Sequence, residues 1–309
     1  MSSRLSQSPS LRHWLLLAIL VLCWGSAIIL TRVAVADISP VWVTAGRLVT
    51  GALTLLFYRF AILRKPWTLK WHHAPWVLWL ALMSSAVPFL LIAWGTQFTS
   101  SAIAGILMGT VPLSVLVLAH MLLPDEKLSS IKTVGFVIGF IGVVLIIKPD
   151  MATLSTGGKS ELLGQIAIFI ASFCYALNGV STRKMPPADN IDKATAVVTT
   201  AASLLLIAAL FTEPNPHLGE ASLLKWSILI YLGVIPTALA TLVLFVLLAE
   251  TTAGFVASSN YLIPIVTALG GILLLGESLT PTAWVGFGVI MLGIAISERK
   301  IPLPIRKLS

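Results

Sequence analysis

No charged side chain lies between Trp14 and Arg32, and none between Trp226 and Ala249. Runs of this kind restrict the fold more than any motif does. A backbone in hydrocarbon must satisfy its own hydrogen bonds, and an α-helix does so in about 20 residues at about 1.5 Å each. Both runs have that length. Of the 309 residues only 10% are charged, where an ordinary soluble domain carries roughly 25%. The chain is therefore read as an all-α integral membrane protein. The first run, preceded by Arg4 and Arg12, has the outline of a signal peptide. Its apolar part extends to about Leu30, beyond the roughly 7–15 residues of such a segment, so it is read as a retained helix.

Ten transmembrane helices are expected, at 14–34, 41–62, 75–96, 101–123, 131–149, 161–182, 193–212, 225–248, 253–275 and 281–298. The separators are short and carry turn formers, such as Asp37-Ile-Ser-Pro40, Pro124-Asp-Glu126, Pro186-Pro187 and Gly276-Glu277. The implied organisation is an N-terminal segment 1–13, a first five-helix unit 14–149, a linker 150–160, a second unit 161–298 and a basic tail 299–309. The net charge of +8 does not point to nucleic acid, because no soluble module exists to present a basic face. It is read instead as orientation. Lys and Arg accumulate on cytoplasmic loops. With the N-terminus inside, Arg59, Arg64, Lys65, Lys70, Lys127, Lys132, Arg183, Lys184 and Lys193 fall on the cytoplasmic side with both tails. Lys148, Lys159 and Lys225 fall outside. A multi-pass protein of the cell (inner) membrane, with both termini cytoplasmic, is expected.

The two halves repeat. CWGSAIILTR begins at Cys23 and CYALNGVSTR at Cys174, an offset of 151 residues. At the same offset Glu126 meets Glu277, Leu128 meets Leu279, Gly135 meets Gly286 and Gly142 meets Gly293. Pro112 meets Pro264 after a one-residue shift, and Pro88 meets Pro236 after a larger one. Five spans is an odd number, so the second half enters the membrane upside down. Inverted repeats of this kind recur in secondary transporters, with solute held near the midplane between the halves.

The segment Gly276-Glu-Ser-Leu-Thr280, with Leu273-Leu-Leu275 before it and Gly286 and Gly293 after it, resembles the EamA domain of the drug/metabolite transporter superfamily. So do Trp24-Gly25 and Gly46-Arg47-Leu48. The likeness covers almost the whole chain as two tandem units, with Pro124-Asp125-Glu126 departing from the pattern that Leu275-Gly276-Glu277 follows. The resemblance implies two inverted five-helix repeats, a central cavity and transport of small organic solutes. It implies export of amino acids or related metabolites, with nucleotide sugars, sugar phosphates and drugs as the alternatives within the superfamily.

Intramembrane charge is expensive and functional by default, and Arg47 is the charge set deepest in a span. It is read either as an anchor for a solute carboxylate or as a group that snorkels or ties a neighbouring helix. No carboxylate falls mid-span, which favours facilitated movement over a carboxylate proton relay. Polar and aromatic groups inside spans are the other cavity candidates: Trp24 and Ser26, Met108, Tyr175 and Asn178, and the cluster Ser259, Asn260, Tyr261. Trp94 and Gln97 lie at the outer end of their span and fit a cavity mouth. Pro112 and Pro264 are expected to kink matching spans and are hinge candidates. Glu126 and Glu277 are read as partners of Lys or of helix N-termini. The stripes Gly135, Gly139, Gly142 and Gly286, Gly293 suit close helix packing, within one chain or between copies in a homo-oligomer.

Other classes fit less well. The five histidines and two cysteines form neither a catalytic cluster nor a ligand spacing, so no enzyme, metal or cofactor is expected. The expected partners are a small-molecule solute and lipid.

Overall fold

The computed structural model describes residues 9–123, 128–147, 158–214 and 222–297. Pro124, Asp125 and Glu126, most of the expected linker, residues 1–8 and the C-terminal tail lie outside the described residues. Among the described residues nine helices are long and apolar enough to cross a bilayer. They are α1 (Leu11–Ala34), α2 (Pro40–Leu63), α3 (Trp71–Gly95), α4 (Ser101–Leu122), α5 (Ser130–Ile147), α6 (Lys159–Thr182), α7 (Asn190–Thr212), α8 (Leu223–Glu250) and α9 (Gly254–Leu275). A tenth, α10 (Pro281–Ser297), is apolar and 17 residues long. The ten-helix, two-repeat expectation stands.

The packing makes the inversion visible. Three helices lie against their own repeat mates: α2 on α7, α4 on α9 and α5 on α10. Each pair is antiparallel. In the first, Ser39 at the start of α2 bonds Glu213 after α7, while Arg59 near the end of α2 bonds Asp192 at the start of α7. In the second, Ser101 opens α4 beside Glu277, which follows α9. The other main pairings come as related couples: α1–α9 with α4–α6, α1–α8 with α3–α6, and α2–α8 with α3–α7. Exchanging the halves maps this set onto itself, as an inverted two-fold requires.

Lipid tails are as apolar as leucine, so helices in a bilayer gain little by hiding apolar surface from one another and rely on close contact. The glycine stripes supply it. A Cβ on Gly142 would stand 2.7 Å from the Gly286 carbonyl oxygen, and one on Gly135 would stand 2.6 Å from that of Gly293. Both stripes are thus used inside the chain, at the seam between α5 and α10, and not kept for a second copy. Gly25 plays the same part for α1 against α9, where an added Cβ would meet Val266 at 2.7 Å. This is the packing basis of the Trp24-Gly25 pair.

Two spans are interrupted at related places. In α4 the helix Ser101–Met108 gives way to Val111–Leu122, and in α9 Ala253–Ala257 gives way to Ser259–Leu275. Pro112 is the second residue after its break, where the missing N–H costs nothing. Pro264 sits within the continuous helix, so it withholds a donor from the Asn260 carbonyl. In α3 and α8 the helix widens to π geometry at Leu82–Ala86 and Gly233–Leu239. Pro88 follows the first and Pro236 lies inside the second.

The seam gives a direct test. Gly293→Leu places a side chain against the Gly139 backbone, which cannot move aside as a side chain can. It is expected to lower stability by about 3 kcal/mol or more, read as thermal unfolding in detergent. Gly288→Leu, on the same helix where an added Cβ meets nothing, is expected to leave unfolding unchanged.

Candidate functional site

The site is built from proline outward. Pro236 has no N–H to offer the carbonyl of Leu232, four residues earlier. The helix widens there to π geometry, and the Thr237 hydroxyl donates to that oxygen at 2.8 Å. Its lone pair then accepts from Arg47 Nε at 3.0 Å. The Arg47 guanidinium also lies flat over the Phe89 ring, 3.7 Å from its centroid. Phe89 follows Pro88 as Thr237 follows Pro236. Arg47 is therefore clasped by two residues that are repeat mates in the proline register, one from each half.

Arg47 is 8% exposed. Nε donates to Thr237, and the two terminal nitrogens make no hydrogen bond to a described residue while each keeps some accessible surface. Beyond Phe89 stands Tyr175 on α6, with ring centroids 6.5 Å apart, and Tyr175 is half-buried.

The remaining candidates spread over several places. Ser26 donates to the Cys23 carbonyl at 3.1 Å and shares a hydrogen bond with Tyr231 at 3.0 Å, tying α1 to α8. Trp24, the repeat mate of Tyr175, packs with Leu20, Ala240 and Val243 between α1 and α8. Met108 packs beside the break in α4. Ser259 turns back on its own helix, donating to the Val256 carbonyl at 2.8 Å. Tyr261 packs against the α4–α10 core. Asn178 and Asn260 are half-buried, and the Asn260 side chain makes no hydrogen bond to a described residue. Gln97 is half-buried in the α3–α4 turn, and Trp94 is 38% exposed against Phe98. These last two stand apart from Arg47.

Three features carried weak sequence signals. Phe89 and Thr237 were marked only by the prolines before them. Asp192, at a helix start, has the look of a solvated cap. It is instead buried with Arg59, their side chains 1% and 2% exposed. Its second oxygen accepts from the Thr68 amide and hydroxyl, each at 2.7 Å. Lys225 is likewise buried, 3.0 Å from Asp37 and bonded to the Val33 carbonyl.

The halves also differ in how α1 and α6 pack. The α1 helix packs on α3 and α4, while α6 makes no contact of comparable extent with α8 or α9. Repeat mates show the difference residue by residue. Ile28 is buried beside Ala102 and Ala104, whereas Gly179 is exposed and a Cβ there would meet nothing within 4 Å. Ala27 is buried beside Ala93, whereas Asn178 is half-buried. On the closed side Glu277 locks α4, accepting from Ser101 N at 2.8 Å, Ser101 Oγ at 2.9 Å and Ala102 N at 2.9 Å. A carboxylate on free amides at a helix start also meets the positive end of the helix dipole.

Ten apolar helices in inverted halves, closed at one end and parted at the other around a buried cation, define a multi-pass membrane transporter. The chain belongs to the EamA-like transporter family, whose profile matches residues 12–148 and 162–298. It is 26% identical over 290 residues to an uncharacterized transporter of Archaeoglobus fulgidus, covering 94% of this chain and all of that one. It is 26% identical to the uncharacterized transporter YoaV of Bacillus subtilis, over 91% of this chain and 96% of the relative. It is 25% identical to the uncharacterized inner membrane transporter YedA of Escherichia coli, over 90% and 87%. A solved crystal structure shares the fold with a TM-score of 0.60 at 17% identity, covering 93% of this chain and 96% of that one.

The asymmetry predicts a labelling pattern. With Cys23 and Cys174 replaced by alanine, Gly179→Cys is expected to react with a hydrophilic maleimide and its repeat mate Ile28→Cys to resist it. Equal labelling would show that the halves are equivalent.

Proposed function

We propose that this protein is a secondary carrier that exports small metabolites, amino acids and related carboxylates, by alternating access. The observation that carries the reading is the one-sided parting of an otherwise two-fold bundle: α1 closes on α3 and α4 while α6 stands off α8 and α9. In an inverted repeat the opposite state follows by exchanging these roles, with α6 closing and α1 parting. Few contacts other than those of α1 and α6 need to change. The self-paired helices α2–α7 and α5–α10 serve as the frame in both states.

The parted end is the one bearing Arg59, Arg64, Arg183 and Lys184. The positive-inside bias makes it cytoplasmic, so this conformation receives solute from the cell interior. The same bias places both termini in the cytoplasm, and the inner-membrane assignment of YedA supports a cell-membrane location for this chain. Within the opening Arg47 is the anchor for the solute carboxylate. Tyr175, Asn178 and Asn260 form the approach, and the α4 break beside Pro264 supplies flexibility. A Cβ on Gly109 at that break would already stand 2.8 Å from Pro264 Cγ.

The test is flux through purified protein in liposomes, against a panel of amino acids, their deaminated analogues, sugars and sugar phosphates. Saturable flux of carboxylates is expected, with a fall of at least about 100-fold for Arg47→Gln, as loss of a buried charge-assisted pair implies. Flux of sugars in preference to carboxylates, or no flux by folded protein, would overturn the proposal.

A further inference from the structure

The Arg47 site has a charge inventory that narrows the solute further. This step rests on the reading of Arg47 as the solute anchor. We infer that the site selects net-anionic monocarboxylates with an apolar body, and that it has no recognition for an ammonium group.

Four observations carry this. The Arg47 guanidinium is held by Nε to Thr237 and sits over Phe89, and its two terminal nitrogens make no hydrogen bond to a described residue and keep some accessible surface. That pair of parallel donors matches the two oxygens of a carboxylate. Next to it are rings, Phe89 and then Tyr175, which suit an apolar body rather than a second charge.

The third observation concerns carboxylates. Every described Asp and Glu is engaged at or near a helix end. Asp37 meets Lys225, Asp192 meets Arg59, and Glu250 meets Arg12 and His13. Glu161 meets Gln165, Asp189 caps α7, Glu213 meets Ser39, and Glu277 caps α4. Among the described residues none accompanies Arg47, so the α-ammonium of an amino acid finds no counter-charge there.

The fourth is elementary. In an α-amino acid the ammonium sits two bonds beyond the carboxylate carbon, only about 2 Å farther from the guanidinium, and the Coulomb term falls only as 1/r. The like charge therefore cancels much of what the carboxylate gains. Removing the ammonium while keeping the body unchanged should strengthen binding by about tenfold or more.

The experiment uses three probes with one aromatic body: 3-phenyllactate, phenylalanine and phenethylamine. Each competes with a transported carboxylate for the purified protein in liposomes. The expected order is 3-phenyllactate at least about tenfold tighter than phenylalanine, with phenethylamine inert. Folded Arg47→Gln is expected to lose this order, binding the first two equally; a role in packing alone would lower both affinities and keep their ratio. Phenylalanine equal to or tighter than 3-phenyllactate, or binding of phenethylamine, would overturn the inference while leaving the carrier reading intact. Absence of all flux would instead strike the carrier reading itself.

Discussion

Everything in this molecule depends on helices approaching their own inverted copies closely enough to hold without water to drive them together. The α5–α10 seam shows the requirement in its barest form. Backbone lies on backbone at Gly142 and Gly286 and again at Gly135 and Gly293, so one methyl group is enough to force the pair apart. The same geometry recurs in α2–α7 and α4–α9, where polar groups at the helix ends set the register. Ser39–Glu213 and Arg59–Asp192 tie the two ends of the first pair. The Arg59–Asp192 pair is a specificity device more than a source of stability, since burying two charges costs several kcal/mol before they attract one another. Thr68 and the Pro66 carbonyl take up further capacity, while Arg59 Nη1 is buried with no hydrogen-bond partner among the described residues.

Against this frame Arg47 stands out by what it lacks. Arg59 has a carboxylate, and Arg47 has a hydroxyl and a ring. The hydroxyl is oriented by its donation to the Leu232 carbonyl, which leaves a lone pair to accept from Nε. A helix defect thus becomes an oriented acceptor, and the guanidinium it orients has two donors left over. On the proposed function, the cost of holding such a charge inside the bundle is met by an arriving anion.

Much of this was legible in the residues. The charge-free runs state the spans, and the 151-residue offset from Cys23 to Cys174, with its glycines and its Glu277, states the inverted repeat; the glycine stripes announced close packing but not that their partners were each other. Arg47 was visible as a charge inside a span. Its partners were not, because Pro236 and Thr237 fall three residues early relative to the common offset and so hide that Phe89 and Thr237 are mates. Asp192 gave no sign of its partner: its place in the first turn of a helix says nothing of Arg59, and only the fold brings the two together. Trp94 and Gln97 lie at the end of their span, where the sequence put them. The parting of α6 from α8 and α9 had no sequence signal at all, since both conformations must satisfy the same residues.

The central claim is that a solute carboxylate completes Arg47 between the two halves. An experimental map of the protein bound to a transported carboxylate tests it most directly. The account predicts carboxylate oxygens within hydrogen-bond reach of both Arg47 terminal nitrogens, with Nε still on Thr237 and the solute body against Phe89 and Tyr175. Solute bound elsewhere, with the Arg47 terminal nitrogens paired to protein oxygens, would contradict it.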